Sequence, residues 1–61
     1  SSRPDFSRFI EIATGSIFEV ASQSTIARNQ GFLSEESYRK IYDAAEEQSR
    51  MLSGLRRSLT G

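Results

Sequence analysis

The sequence predicts an all-α fold, an antiparallel hairpin of two long helices. Apolar and small residues recur at alternating spacings of three and four over two long stretches, which is the period of one face of an α-helix. A short segment around Gly31 separates the two stretches, and helices joined by so short a turn lie antiparallel. The chain has 61 residues and no cysteine, so its core is small and no disulfide supports it.

The first helix is expected over about residues 4–30. Pro4 falls in its first turn, where an N–H group is not needed, and Ser2 followed by Asp5 is typical of a helix start. Gly31 follows the last periodic residue and favours a left-handed helix end. The apolar stripe of this helix consists of Phe6, Ile10, Ala13, Ile17, Val20, Ser24 and Ala27.

The turn is expected at about residues 31–33 and the second helix over about residues 34–60, so that residues 1–61 form a single hairpin. Ser34 is a candidate N-cap, and Glu35 and Glu36 complement the positive end of the helix dipole. Acidic residues precede basic ones by four positions in Glu35–Arg39, Glu36–Lys40 and Glu46–Arg50, which favours a solvated helix. The apolar stripe of this helix consists of Tyr38, Ile41, Ala45, Gln48, Leu52, Leu55 and Leu59.

The hairpin has more apolar surface than two helices enclose. Large apolar residues lie outside both stripes, and leaving each of them exposed forfeits about 1.5–3 kcal/mol. Further helices are therefore expected to cover them, from the same polypeptide, from self-association or from another protein. The alternative is a monomeric hairpin with a few exposed apolar side chains. The additional residues are Phe9, Ile12, Phe18, Tyr42 and Met51.

The composition argues against catalysis. Cysteine and histidine are both absent, so thiol nucleophiles, imidazole bases and the commonest zinc ligands are missing. The carboxylates form no convincing pair, and neither a Glu-x-x-His metal motif nor a phosphate-binding loop is present. No apolar run approaches the ~18 residues of a membrane span. We therefore expect a non-enzymatic, cytoplasmic protein without a metal, a cofactor or a membrane anchor.

A glycine interrupts the first helix. Gly15 costs an α-helix roughly 0.5–1 kcal/mol relative to alanine, which calls for a packing or functional reason. Together with its small neighbours it predicts a notch that lets another helix approach closely, with Glu19 one turn beyond Ser16. A solvated role for Glu19 is an equal alternative. The candidate packing notch consists of Ala13, Gly15, Ser16 and Glu19.

Arginines gather where the first helix begins and the second ends, because antiparallel packing brings these ends together. They form a candidate nucleic-acid contact, although Asp5 and Glu11 lie among them and the net charge is zero. The competing interpretation is surface charge that keeps the chain soluble. The candidate contact residues are Arg3, Arg8, Arg56 and Arg57.

Three segments carry a resemblance to a known family: DFSRFIEIATGSIFEVASQ, ARNQGFLSEESY and RMLSGLRRSL. In these segments the chain resembles the four-helix-bundle proteins encoded in intervening sequences of bacterial 23S ribosomal RNA genes, over essentially its whole length. The matching residues are Phe6, Phe9, Ala13, Gly15, Ser16, Glu19, Gly31, Phe32, Leu33, Met51, Leu52, Gly54 and Leu55.

The resemblance implies that the hairpin is the C-terminal half of an up-down four-helix bundle, completed by further helices or by oligomerisation. It places Ser1 at the junction that follows the family's second helix. It also implies a homo-oligomer, since related accessory proteins of diversity-generating retroelements assemble as pentamers. Those relatives are strongly basic and bind RNA and a reverse transcriptase, whereas this chain is neutral. An assembly associated with RNA or a nucleic-acid enzyme is the expected function, and a hairpin that docks its apolar face on an unrelated protein is the alternative.

Overall fold

The computed structural model describes residues 4–60 and contains two α-helices, α1 (Pro4–Asn29) and α2 (Glu35–Thr60). The helices pack side by side as a hairpin, which confirms the predicted all-helical fold. The backbone measures 46 × 15 × 9 Å, so the molecule is one helix thick. Ser2, which is part of the predicted helix start, lies outside the described residues.

Helix α1 ends in a glycine-based motif. The N–H group of Phe32 donates to the carbonyl of Ala27 at 2.8 Å, and the N–H of Gly31 donates to the carbonyl of Arg28 at 3.0 Å. Gly31 has a φ of 84°, a conformation that costs a residue with a side chain about 1 kcal/mol or more. These two bonds satisfy the carbonyls of Ala27 and Arg28 at the end of α1, where the chain turns back toward α2. The predicted role of Gly31 is confirmed.

Helix α2 begins with a serine cap. The hydroxyl oxygen of Ser34 accepts a hydrogen bond from the N–H group of Ser37 at 3.0 Å, as an N-cap does. Lys40 lies 3.9 Å from Glu36, as the i,i+4 spacing predicts. Glu35 was expected to pair with Arg39, but it lies 3.6 Å from Arg28 of α1 instead. The cation that pairs with Glu35 belongs to α1. The spacing of residues along α2 therefore does not predict this ion pair.

The interhelical core is thin. Among the described residues, Ile10 is the one buried hydrophobic residue, with 1% of its surface exposed, and Ser24 is the one buried polar residue. Most other members of the two predicted stripes are half-buried. A domain normally encloses its core between two layers of secondary structure, and a single pair of helices supplies one.

Three predicted stripe residues are not in the interface between the helices. Val20 is 50% exposed and Leu55 38% exposed, and Gln48 is exposed as well. The reason is geometric: steps of three and four residues turn by about −60° and +40° around a helix, so each stripe is two rows of side chains wide. Two helices touch along a narrow strip, and one side of each stripe is therefore left open.

Candidate interaction surface

The open sides of the two stripes lie on the same face of the hairpin. Between the helices runs a shallow groove whose walls are almost wholly apolar. It takes one wall from α1 and the other from α2, so both helices contribute to one continuous surface. The groove is lined by Ser16, Ile17, Val20, Ile41, Ala44, Ala45 and Gln48.

This surface extends along the hairpin at heptad spacing, which keeps side chains on one face of a helix. Phe9 lies seven residues before Ser16, Met51 seven after Ala44, and Leu55 seven after Gln48. Phe9 and Met51 are 57% and 63% exposed. No charged residue occupies these positions. We name this surface the uncharged face, and it consists of Phe9, Ala13, Ser16, Val20, Ile41, Ala44, Gln48, Met51 and Leu55.

The opposite face of the hairpin is mixed in character. Phe18 and Tyr42 are exposed there, and they share a second groove with the carboxylate of Glu46 and the hydroxyl of Ser49. A third groove near the turn includes Arg39 among its lining residues and is more polar still. Charged side chains on this side are solvated by water. Leaving this side exposed therefore costs less free energy than leaving the uncharged face exposed.

Polar side chains link the helices close to the turn. The hydroxyl oxygens of Thr25 and Tyr38 lie 3.1 Å apart, at hydrogen-bonding distance. The guanidinium carbon of Arg28 is 4.1 Å from the centroid of the Tyr38 ring, which is a cation–π contact. The same guanidinium is 3.6 Å from a carboxylate oxygen of Glu35. This cluster links α1 to α2 near the turn, and the sequence pattern does not predict it.

The predicted packing notch divides between two sides of α1. Ala13 and Ser16 lie on the uncharged face, whereas Gly15 is two residues from Ala13 and so points about 200° away around the helix. A Cβ atom added at Gly15 meets no atom within 4 Å, so packing against α2 does not require a glycine there. Glu19 is exposed. The close approach of another helix at Gly15 stays a prediction.

The arginines of the candidate nucleic-acid contact are only partly placed. Arg8, Arg56 and Arg57 are exposed, and the register of the hairpin brings the start of α1 beside the end of α2. Arg3 lies outside the described residues. Within residues 4–60, no group of three side chains is arranged to hold a metal ion. No helix in that range is long and apolar enough to cross a membrane.

The sequence profile of one protein family matches this chain. The family is described as 23S rRNA-intervening sequence protein, and the match covers residues 1–54, which includes all of α1, the turn and most of α2. No curated protein and no solved structure is significantly similar to the chain. Because the profile spans far more than half of the sequence, the chain belongs to the 23S rRNA-intervening sequence protein family.

Proposed function

We propose that this chain is a non-enzymatic component of a helical bundle and acts through assembly, with its uncharged face packed against a second pair of helices. The observation that carries the proposal is the uncharged face itself. Phe9 and Met51 keep more than half of their surface exposed in the hairpin. Burial of such side chains stabilises a protein by about 1.5–3 kcal/mol each, which favours a covered over an uncovered face.

The thin core supports the same proposal. With Ile10 as the one buried hydrophobic residue among those described, little of the apolar surface is removed from water within one hairpin. Chains of about 60 residues are marginally stable even when they are compact. A second helical layer on the uncharged face gives the arrangement of an up-down four-helix bundle, in which short turns join antiparallel neighbours.

Contact with RNA has less support among the described residues. The net charge of the chain is zero, and Asp5 and Glu11 lie on the same part of α1 as Arg8. Phosphate binding depends on an excess of positive charge, and its strength grows with the number of phosphates that are neutralised. Assembly is therefore the single function that we propose.

The test places one charge on the uncharged face. In Ala44→Glu a carboxylate enters the middle of the groove, and burying an unpaired charge against apolar side chains costs several kcal/mol. Ala44 is exposed in the hairpin, so the hairpin itself tolerates the change. We expect light scattering to show that the wild-type chain is heavier than its 6.8 kDa monomer mass and that the variant is a monomer.

The matched control is Ser53→Glu. Ser53 is nine residues after Ala44 on the same helix and points to the opposite side, and it is exposed. This variant is expected to retain the mass of the wild-type assembly, and circular dichroism checks that both variants remain helical. A wild-type chain that is monomeric at every concentration and melts cooperatively would refute the proposal.

A further inference from the structure

We propose that the groove beside Phe18 and Tyr42 binds an arginine side chain of a partner polypeptide. In the bound state the guanidinium lies against the ring of Tyr42 and donates to the carboxylate of Glu46. This groove is on the side of the hairpin opposite the uncharged face, so the inference does not depend on the proposed assembly. Three observations lead to it: a site of the same kind that the chain fills with its own arginine, the unpaired charge of Glu46, and the size and walls of the groove.

The chain already holds one guanidinium between an aromatic ring and a carboxylate. The guanidinium carbon of Arg28 is 4.1 Å from the centroid of the Tyr38 ring, and a guanidinium nitrogen is 3.6 Å from a carboxylate oxygen of Glu35. A planar guanidinium stacks on an aromatic face and offers several N–H donors in one plane, whereas an ammonium group does not stack. Near the turn, this side of the hairpin therefore accommodates an arginine.

The same combination of groups recurs one helical turn further along α2. Tyr42 is four residues after Tyr38 and lies on the same side of the helix, and the centroids of the two rings are 5.7 Å apart. Glu46 is four residues after Tyr42 and supplies a carboxylate to the groove. Helix α1 contributes Phe18 at this level, whereas near the turn it contributes Arg28. The ring and the carboxylate are thus present at the second position, and no cation is among the residues that line it.

The carboxylate of Glu46 is free to bind a cation. The i,i+4 spacing predicts an ion pair with Arg50, but among the described residues Glu46 has no cation within 4 Å. The groove and its neighbour near the turn share Tyr42 and Glu46, and together they are lined by three carboxylates and two guanidinium groups. One negative charge is left uncompensated, which favours a cationic ligand over an anionic one.

The size and the walls of the groove fit an arginine side chain. Its volume is about 250 Å³, the space of about eight water molecules at ~30 Å³ each. Phe18 is 65% exposed and Tyr42 39% exposed, so both rings are accessible in the hairpin. The apolar walls accept the methylene stem of an arginine, and Glu46 and Ser49 are the polar side chains that line the groove.

A polypeptide is favoured over a small free cation as the source of the arginine. A single cation–π contact at an exposed site is weak, and a ligand that makes linked contacts along a surface binds more tightly. The neighbouring groove continues toward the turn and adds the carboxylate of Asp43. A basic segment that places one guanidinium at Tyr42 therefore has a second carboxylate within reach.

The test is a titration of the isotope-labelled chain with the peptide hexa-arginine, followed by NMR chemical shifts. The largest shifts are expected at Phe18, Tyr42 and Glu46. Glu46→Gln removes the carboxylate and is expected to weaken binding about fivefold. Tyr42→Leu removes the aromatic face but keeps an apolar side chain, and is expected to weaken binding about threefold. Both residues are exposed, so the hairpin is expected to fold in both variants, which circular dichroism checks.

The matched control is Glu47→Gln. It removes the same charge from the next residue, which is exposed and points about 100° away around α2. Its affinity for hexa-arginine is expected to fall by less than about twofold at physiological salt, where charges outside the groove are screened. Equal losses for Glu46→Gln and Glu47→Gln would overturn the proposal, because attraction would then depend on net charge alone.

Two further ligands test the preference for arginine in a polypeptide. Hexalysine carries the same charge as hexa-arginine and is expected to bind several-fold more weakly, since ammonium groups do not stack on a ring. Equal affinity for hexalysine, or for the free polyamine spermine, would overturn the assignment. Shifts at the groove on dilution of the chain alone would identify a second copy as the occupant and would overturn it as well. A monomeric wild-type chain refutes the proposed assembly and leaves this inference intact.

Discussion

The two helices have the same length but different surfaces. Helix α1 and helix α2 each span 26 residues, yet α2 carries ten charged residues and α1 five. On α1, exposed apolar side chains occur on several sides: Phe9 and Val20 on the uncharged face, Ile12 and Ile26 away from α2. On α2 the exposed apolar residues border its contact with α1, and the outer side is charged.

This difference bears on which helix would be the inner one in the proposed assembly. A helix that is apolar all round is normally buried by several neighbours, and one with a charged outer side faces water. Ile12 and Ile26 are fourteen residues apart, which places them on nearly the same side of α1, and they are 58% and 56% exposed. The uncharged face does not include them. In the proposed assembly, α1 is therefore expected to have a further contact on that side.

The largest expected effect is at Ile10, the one deeply buried hydrophobic side chain among the described residues. Ile10→Ala removes a side chain that is 1% exposed and leaves a cavity, so the free energy of unfolding is expected to fall by about 2–5 kcal/mol. Leu52→Ala on α2 is the matched change at a half-buried position and is expected to cost less. Urea unfolding followed by circular dichroism measures both. A greater loss at Leu52 would show that α2 is buried more deeply in solution than the hairpin alone accounts for.

The helix ends and the pairing of the two helices are predictable from the sequence, and the individual contacts between the helices are not. The helix end at Gly31 and the cap at Ser34 depend on neighbouring residues, so their chemistry is visible in the sequence. The exposure of Val20 and Leu55 depends on how each helix is rotated about its own axis against the other. That rotation is set by tertiary packing.

The cluster around Tyr38 illustrates the same limit. Its contacts with Thr25 and Arg28 join residues that are ten or more positions apart, and they require the register of the hairpin. The ion pair between Glu35 and Arg28 is not predictable from the sequence for the same reason. Along α2 the spacing favours Arg39 as the partner of Glu35. The members of the predicted notch are close in the sequence, but helical geometry places Gly15 and Ala13 on different sides of α1.

The second-largest expected effect is a loss of association between chains, with folding unchanged. Gly15→Leu is expected to weaken association by about tenfold, or roughly 1.4 kcal/mol, because a large side chain obstructs a close contact on the outer side of α1. The control is Gly54→Leu on α2. Both glycines have open space around an added Cβ, and both substitutions raise helix propensity equally. Light scattering over a dilution series measures the difference. Equal masses for the two variants would contradict a further contact at α1.

The smallest expected differences in stability are those between the two ion pairs, Arg28–Glu35 and Lys40–Glu36. Lys40 and Glu36 lie on the charged outer side of α2 with side chains 77% and 85% exposed, so Lys40→Gln is expected to change stability by less than about 0.5 kcal/mol. Arg28 is 31% exposed and joins the helices through both Glu35 and the ring of Tyr38. Arg28→Gln is expected to cost about 1 kcal/mol, since it removes a cation–π contact as well as an ion pair. Thermal unfolding of the two variants at the same ionic strength gives the comparison. Equal losses would mean that the contacts near the turn add no more stability than a solvated pair, and the register of the hairpin would then depend on apolar packing alone.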